Sequence, residues 1–416
     1  MTEHFDTLET RDPEVRERAQ LAQLPARVAL AKARTAAYAK ILAEVDPAAV
    51  GSREALARLP VTRKSDLLEL QKATRPFGGF AVGGWGALPR VFASPGPIYE
   101  PDGDAPDYWR LARALFAAGF RRGDLVHNCF SYHFTPAGSM LESGALALGC
   151  TVFAGGTGQT EQQVQAIADL APTGYVGTPS FLKIILDKAD ELGVKLSMLK
   201  KAMVSGEAFP PPLRDALSAH GIAAFQAYAS ADVGSIAYES EARQGLIADE
   251  GVLIEIVRPG TGDPVPPGEV GEVVVTTLVT TAYPLVRFGT GDLSALQPES
   301  VSRPASCGRT NVRLKGWLGR ADQTTKVKGM FVHPSQVAEI VRRHPEIARA
   351  RLVVDQVEGA DRMTLHVEVR GERTPSAEAL AVSMREVTKL RGEVAFRAAG
   401  ELANDGKVIE DSRRLE

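Results

Sequence analysis

A chain of 416 residues is long enough for two or more domains and a large apolar core. Its residues are 44% hydrophobic and 24% charged, as in soluble globular proteins, and its formal net charge of −3 argues against nucleic acid as a main partner. No long uncharged apolar run indicates a membrane span, and the charged N-terminus is not a signal peptide. Cys129, Cys150 and Cys307 form neither a disulfide framework nor a zinc spacing, so we expect a cytoplasmic protein.

The N-terminal part of the chain has helical patterns. Residues from Pro13 to about Leu42 contain good helix formers at helical spacing, and Pro25 is expected to kink or break this stretch. Ser52–Leu59 predicts a further short helix. Asp107–Phe120 predicts an amphipathic helix that closes at Gly119.

Strand and helix patterns then alternate as far as about Ser230. This alternation favours a mainly parallel sheet covered by helices, in which ligands bind outside the carboxyl ends of the strands. Two polar loops, SGEA (Ser205–Ala208) and YASAD (Tyr228–Asp232), follow predicted strands and fall at such ends. They are therefore candidates for a binding site.

The pattern changes from Gly251, where strand, Pro/Gly turn and strand follow one another without a helix and predict an antiparallel or barrel-like β subdomain. The basic stretch Gly319–Gln336 has glycines suited to a hinge, and a short segment with its own strands and helices follows it. We therefore predict an α/β fold with two domains. A large N-terminal domain, residues 1–321, has mainly parallel sheets plus the barrel-like part, and a small mobile α+β lid spans residues 322–416.

Five short segments follow one another along the chain in this order: SGEA, YASAD, RFGTGD (Arg287–Asp292), GRADQTTKVKG (Gly319–Gly329) and NDGK (Asn404–Lys407). Each of them is weak evidence alone. Together with LPVTRKSDL and VHPSQVAEI, they make the chain resemble the phenylacetate–CoA ligase family of the adenylate-forming, or acyl-CoA synthetase, superfamily.

The resemblance implies an AMP-forming acyl-CoA ligase with ATP, Mg²⁺ and coenzyme A as cofactors. Its substrate would be an aromatic, phenylacetate-like acid or another small carboxylic acid. The acid would attack the α-phosphorus of ATP, and CoA would capture the acyl adenylate. The resemblance also allows a homodimer, and neither nucleic acid nor a membrane is an expected partner. Two alternatives stay open: an acyl-adenylating enzyme of the same fold with an amine or carrier-protein acceptor, and a non-catalytic homologue that binds nucleotide or acyl-CoA.

The same resemblance assigns roles to individual residues. It places the nucleotide at Ser205, Gly206, Glu207, Ala227, Tyr228, Ala229, Ser230, Asp292, Arg309 and Arg320. Tyr228 offers an aromatic face to adenine, and Asp292 offers a carboxylate to the ribose diol. Lys407 and Asp232 are the catalytic candidates: Lys407 as a cation for the charge that develops on phosphorus, and Asp232 as the Mg²⁺ ligand where the family usually has Glu. A packed core tyrosine and a solvated lysine are the alternatives for Tyr228 and Lys407.

Two further groups complete the assignment. Phe130, Tyr132, His133 and Phe134 are expected either to line the acid pocket or to pack in the core. The hinge and the loop on the CoA side are expected at Asp322, Lys326, Lys328 and Gly329.

One segment departs from the family pattern. Members carry a Ser/Thr/Gly-rich loop with a lysine that holds the outer phosphates, and here the corresponding piece is Ala93–Pro101, ASPGPIYEP. It has lost the threonines and the lysine, its prolines lack N–H donors, and Glu100 adds charge of the wrong sign for ATP. The sequence therefore predicts weakened handling of the triphosphate and intact handling of adenosine.

Overall fold

A computed structural model describes residues 3–94, 97–321, 325–327, 330–357, 360–371, 374–403 and 407–413. The chain forms two compact units. The first comprises Met1–Ile254, Val275–Phe288 and Gln297–Trp317, and the second comprises Glu255–Val274, Gly289–Leu296 and Leu318–Glu416. The predicted boundary at residues 321/322 falls inside the second unit, and a separate lid from residue 322 onward stays a prediction.

The helices are named in chain order. They are α1 (Pro13–Leu21), α2 (Leu24–Arg34), α3 (Ala36–Ile41), α4 (Arg53–Ala57), α5 (Lys64–Ala73), α6 (Ala112–Ala117), α7 (Ala137–Ala147), α8 (Thr160–Leu170), α9 (Pro179–Glu191), α10 (Pro211–Ala219), α11 (Pro334–Arg343) and α12 (Ala377–Thr388).

The strands follow the same convention. They are β1 (Thr62–Arg63), β2 (Val91–Ser94), β3 (Ile98–Pro101), β4 (Leu125–Asn128), β5 (Thr151–Ala154), β6 (Gly174–Gly177), β7 (Lys201–Val204), β8 (Ala223–Ser230), β9 (Gly234–Tyr238), β10 (Leu246–Ala248), β11 (Val252–Val257), β12 (Gly271–Thr277), β13 (Phe288–Ser294), β14 (Arg313–Leu314), β15 (Thr325–Val327), β16 (Met330–Val332), β17 (Ile347–Val357), β18 (Ala360–Val369), β19 (Glu393–Arg397) and β20 (Ile409–Asp411).

The N-terminal helical stretch divides where its capping residues lie. The Asp12 carboxylate accepts hydrogen bonds from the first N–H groups of α1, and Thr35 caps α3 through the N–H of Tyr38. Pro25 lies in the first turn of α2, where its missing N–H costs no helical hydrogen bond. The interruption that Pro25 predicts is thus confirmed, and the proline begins a helix.

The helix predicted over Asp107–Phe120 is shorter in the structure and covers only α6. Asp107 and Arg110 have positive φ angles of 51° and 61°, which helical backbone excludes. The Asp107 carboxylate instead accepts hydrogen bonds from the N–H groups of Leu111 and Ala112, at 2.8 and 3.1 Å. The apolar periodicity predicted the buried face correctly, but side-chain capping delays the start of the helix.

The first unit contains an eight-stranded sheet with the order β14-β10-β9-β8-β7-β6-β4-β5. The strands from β8 to β5 are parallel neighbours, as the alternation of strands and helices predicted. Along β7, Met203 packs into one apolar cluster while Ala202 and Val204 pack into another, because successive side chains leave a strand on opposite faces. Both faces of this part of the sheet are therefore covered.

The predicted barrel-like part is an open four-stranded sheet in the described part of the chain, with the order β1-β13-β12-β11. In the second unit, β17 and β18 pair antiparallel, with Leu352 opposite Leu365. The pair β15–β16 is a separate antiparallel ribbon. Strands β20 and β19 run parallel to β17 and β18, respectively. Among the described residues no helix is long and apolar enough to cross a membrane.

An N-terminal segment is held to the first unit by a buried carboxylate. Glu9 is fully buried, and it accepts hydrogen bonds from the Tyr238 hydroxyl at 2.8 Å and the Phe5 N–H at 2.9 Å. The guanidinium groups of Arg309 and Arg113 lie 3.2 and 3.6 Å from its oxygens. The charge on Glu9 thus compensates cations that are themselves buried.

Glu9→Ala should therefore destabilise the first unit by about 3 kcal/mol, because it removes the buried carboxylate that Arg309 and Arg113 share and leaves them Glu241 and Asp6 as ion-pair partners. Glu14→Ala is the matched control, since Glu14 is exposed and pairs only with Arg18, and its effect should stay below about 0.5 kcal/mol. Urea unfolding followed by circular dichroism measures both. Equal stability losses in the two variants would contradict the structural role of Glu9.

Candidate active site

Two predicted loops meet at the carboxyl edge of the parallel strands. Strands β7 and β8 are parallel neighbours, so the loop after β7 and the end of β8 lie at the same edge. The Ser205 hydroxyl donates to the carbonyl of Ala227 at 2.7 Å, and this bond ties the two segments together. Gly206 has a φ of 84°, a left-handed conformation that glycine adopts without strain.

Glu207 is held by the start of a helix. Its carboxylate accepts a hydrogen bond from the N–H of Ser180, at 2.7 Å, in the first turn of α9. A helix N-terminus carries partial positive charge and favours such an anion. Glu207 is otherwise exposed, so this contact fixes the loop after β7 without burying it.

Tyr228 lies at an irregularity in β8. The pairing register of β8 with β9 shifts between Tyr228 and Ala229, and such a bulge redirects the side chains that follow it. Tyr228, Ala229 and Ser230 are half-buried. The Ser230 hydroxyl oxygen accepts from the N–H of Val233 at 3.1 Å, which closes the turn that leads past Asp232.

Asp232 is the centre of a buried charged cluster. Its side chain is fully buried and forms a short ion pair with Lys64, the first residue of α5. The Lys64 ammonium also lies 3.9 Å from a carboxylate oxygen of Glu100 in β3. Helix α5, the β2–β3 hairpin and the turn after β8 therefore meet at one cation and two carboxyl groups.

Glu100 closes the hairpin on itself. It is fully buried, and its oxygens accept hydrogen bonds from both the N–H of Ser94, at 3.1 Å, and the Ser94 hydroxyl. Burial and the nearby Asp232 carboxylate raise the pKa of Glu100 to about 8, although Lys64 and Ser94 oppose the shift. This shift favours the protonated form of Glu100, and Asp232 is the closer counter-ion of Lys64.

Asp232 fits Mg²⁺ through one oxygen. Its Oδ2 contacts Lys64, whereas its buried Oδ1 has no hydrogen-bond partner among the described residues. A carboxylate oxygen is a hard ligand that suits Mg²⁺, and this ion usually completes its coordination with water and substrate phosphates. The donor set thus fits a Mg²⁺ ion held by Asp232 Oδ1, with the remaining ligands from nucleotide and water.

The second unit holds another group of predicted residues. Asp292 and Arg320 face each other across an isolated antiparallel bridge, and their side chains form an ion pair of 3.1 Å. Arg320 and Lys407 line one cleft of about 160 Å³, together with Leu293 and Gly319. The Asp292 side chain is 15% exposed and that of Arg320 is 47% exposed, so both can be reached from solvent.

The loop predicted to line the acid pocket lies against the β2–β3 hairpin. The carbonyl of Phe134 accepts a hydrogen bond from the N–H of Ala93 at 2.8 Å. Phe130 packs in the core, and the Tyr132 hydroxyl donates to Glu142 at 2.7 Å. His133 and Phe134 are exposed, Phe134 to 81%. Phe130 thus takes the core alternative in this structure, and roles for the other three in acid binding stay predictions.

Arg309 and the hinge residues are the remaining sequence-based candidates. The Arg309 side chain is only 1% exposed and pairs with Glu9 and Glu241, and its nucleotide role stays a prediction. Asp322, Lys328 and Gly329 lie outside the described residues, as does the side chain of Lys326. Their roles stay predictions.

Sequence reasoning missed Lys64 as a site residue. Its segment LPVTRKSDL contributed to the family resemblance, but nothing in the sequence shows that it pairs with a residue 168 positions away. The loss of the usual lysine from Ala93–Pro101 was the available signal, because it predicts that another cation must neutralise this region.

The fold and the site define an adenylate-forming enzyme. Residues 108–282 match the family described as AMP-binding enzyme. The solved structure of 2-hydroxyisobutyryl-CoA ligase, an open conformation in complex with 2-HIB-AMP and CoA, superimposes with a TM-score of 0.72 at 25% identity. The alignment covers 95% of this chain and 91% of that one. The predicted fold class is confirmed.

Curated relatives narrow the class to one family. The phenylacetate-coenzyme A ligase of Thermus thermophilus is 35% identical over 350 residues, which are 80% of this chain and 76% of the relative. That of Aromatoleum evansii is 33% identical over 365 residues, covering 83% of this chain and 80% of the relative. The chain belongs to the phenylacetate–CoA ligase family.

Lys64→Ala should destabilise the first unit by about 3 kcal/mol, because it leaves the buried Asp232 carboxylate without its cation. Lys72→Ala on the same helix is the control, since Lys72 pairs with Glu69 at the surface and should contribute less than about 0.5 kcal/mol. Urea titration of both variants makes the comparison. A Lys64 variant as stable as the Lys72 variant would mean that Lys64 does not neutralise the cluster.

Proposed function

We propose that this protein is an AMP-forming acyl-CoA ligase. It activates a small carboxylic acid, aromatic and phenylacetate-like in the first instance, through an acyl adenylate, and transfers the acyl group to coenzyme A. The observation that carries the proposal is the joining of Ser205 to Ala227 at the carboxyl edge of β7 and β8, beside the buried Asp232. Family membership supports the same reaction, and a structural relative is a CoA ligase that holds an acyl adenylate and CoA.

The proposed chemistry divides among residues of this chain. Tyr228 stacks on adenine, Asp292 accepts the hydrogen bonds of the ribose diol, and Lys407 stabilises the charge that develops at the α-phosphorus. Mg²⁺, held through Asp232, would neutralise phosphate charge. Arg320 already pairs with Asp292, so it is positioned to contact ribose or phosphate in place of part of that ion pair.

We also propose that the enzyme works in the cytoplasm. Cys129, Cys150 and Cys307 are buried free thiols, which suits a reducing cytoplasm. The homodimer stays a prediction.

The reaction is tested with purified protein, MgATP and a panel of aryl and small aliphatic acids, with and without CoA. We expect acid-dependent release of AMP and pyrophosphate, and a thioester only when CoA is present. Pyrophosphate release without a thioester would favour an enzyme with an amine or carrier-protein acceptor. Absence of pyrophosphate with every acid would favour a nucleotide-binding homologue without catalysis, an alternative favoured by the closed β2–β3 hairpin.

Asp292→Ala should weaken AMP binding about a hundredfold, because two charge-assisted hydrogen bonds to the ribose are lost. The fold should remain, since the ion-pair partner Arg320 is half exposed and can be solvated. Asp263→Ala, a change at an exposed turn of the same unit, is the control. Calorimetry with AMP measures both variants, and unchanged affinity in Asp292→Ala would remove Asp292 from the site.

Lys407→Ala should slow adenylation by about two orders of magnitude, the usual scale for loss of one electrostatic stabiliser. Thioester formation from a supplied acyl adenylate should remain nearly intact, because the CoA thiol attacks the acyl carbon, AMP leaves, and no bond to phosphorus changes. Arg391→Ala, which removes an exposed cation from the same unit, is the control. The rates of adenylation and of thioester formation are measured separately. An equal decrease of both rates would indicate a structural role for Lys407.

A further inference from the structure

The β2–β3 hairpin offers few backbone donors to a phosphate. Its strands pair antiparallel, with Phe92 opposite Glu100 and Ser94 opposite Ile98. Only positions 95–97 connect the strands, and two of them, Pro95 and Pro97, have no N–H to donate. Phosphate-binding loops depend on successive backbone N–H groups that converge on the anion. This connection lacks most of those donors.

The donors that remain at the end of β2 are already used. The Ser94 N–H and hydroxyl both donate to the carboxyl group of Glu100. Glu100 is fully buried and Ser94 is 8% exposed, so water does not readily replace either partner. A phosphate that came to Ser94 would have to displace Glu100 from two hydrogen bonds.

The hydrogen-bonded pair of Ser94 and Glu100, called the clasp from here on, is linked to the Tyr228–Asp232 segment. Lys64 links it to Asp232, because the ammonium pairs with Asp232 and lies 3.9 Å from Glu100. Asp232 is only 3% exposed, and its Oδ1 has no hydrogen-bond partner in the described part of the chain. Asp232 Oδ1 therefore has capacity for a further contact, whereas the Ser94 donors are already used.

We propose that Glu100 is a specificity-determining residue, which holds the Ser94 donors and so favours a nucleoside monophosphate, free or as an acyl adenylate, over a triphosphate. The inference rests on the proposed function, since it requires adenine nucleotide at the Tyr228–Asp232 segment. The α-phosphate is shared by all three ligands and does not depend on the hairpin. Because the Ser94 donors are bonded to Glu100, the outer phosphates of ATP gain few contacts at the hairpin. The monophosphate of the adenylate loses nothing there and stays bound.

The test is calorimetry with AMP, ADP and ATP, each with Mg²⁺, on the full chain. The wild type should bind AMP more tightly than ATP. Glu100→Ala frees both Ser94 donors and should tighten ATP binding about tenfold or more, with AMP affinity changed less than about threefold. Glu100→Thr provides a second route to the same outcome, because threonine suits a strand and is too short to reach Ser94 as glutamate does. ADP should fall between the other two nucleotides.

Glu239→Gln is the matched control. Glu239 is also a buried carboxyl in the first unit, but it pairs with Arg214 at 3.0 Å, so its loss should leave the ratio of ATP to AMP affinity unchanged. An unaltered ratio in both Glu100 variants, with AMP still bound, overturns the role of Glu100 and leaves the proposed function standing. A wild type that binds ATP more tightly than AMP also overturns it. Failure of the wild type to bind any adenine nucleotide overturns both the role of Glu100 and the proposed function.

Discussion

The ion pair between Lys64 and Asp232 is the contact on which the architecture of the candidate site depends. It joins the first residue of α5 to the turn after β8, two elements that are distant in sequence. A buried carboxylate without a nearby cation would cost several kcal/mol, so the fold requires Lys64 to stay in place. The same cation lies 3.9 Å from a carboxylate oxygen of Glu100, so it also approaches the β2–β3 hairpin.

A second set of buried ions stabilises the first unit at its N-terminal segment. Glu9 receives Arg309 and Arg113, while Glu250 pairs with Arg11 and Arg16 at 2.7 and 3.0 Å. Buried pairs contribute little net stability over an apolar core, but breaking one of them is costly, so they specify one arrangement of the chain. This explains why Arg309, in a motif expected to bind nucleotide, has contacts that are structural.

The sequence was informative where local chemistry decides the structure. Tyr228 and Ser205 could be assigned to the carboxyl edge of a parallel sheet because alternating strands and helices specify that topology. Weakened handling of the triphosphate was predicted from Pro95 and Pro97, whose lack of an N–H does not depend on context, and it stays a prediction. The late start of α6 was not predictable, because periodicity does not distinguish a capping Asp107 from a helical one. For Phe130 the sequence left both the core and the acid pocket open. The partners of Lys64 depend on the complete tertiary structure.

The protonation of Glu100 explains how one lysine suffices for two buried carboxyl groups. Two ionised carboxylates around Lys64 would leave a net negative charge in a site with little water, which is the costliest arrangement available. A pKa raised to about 8 removes that charge near neutral pH, and the protonated group still has lone pairs to accept from Ser94. The clasp is therefore a hydrogen-bonded structure whose stability near neutral pH does not require a second cation. The clasp is formed by hydrogen bonds within one hairpin, between Ser94 in β2 and Glu100 in β3.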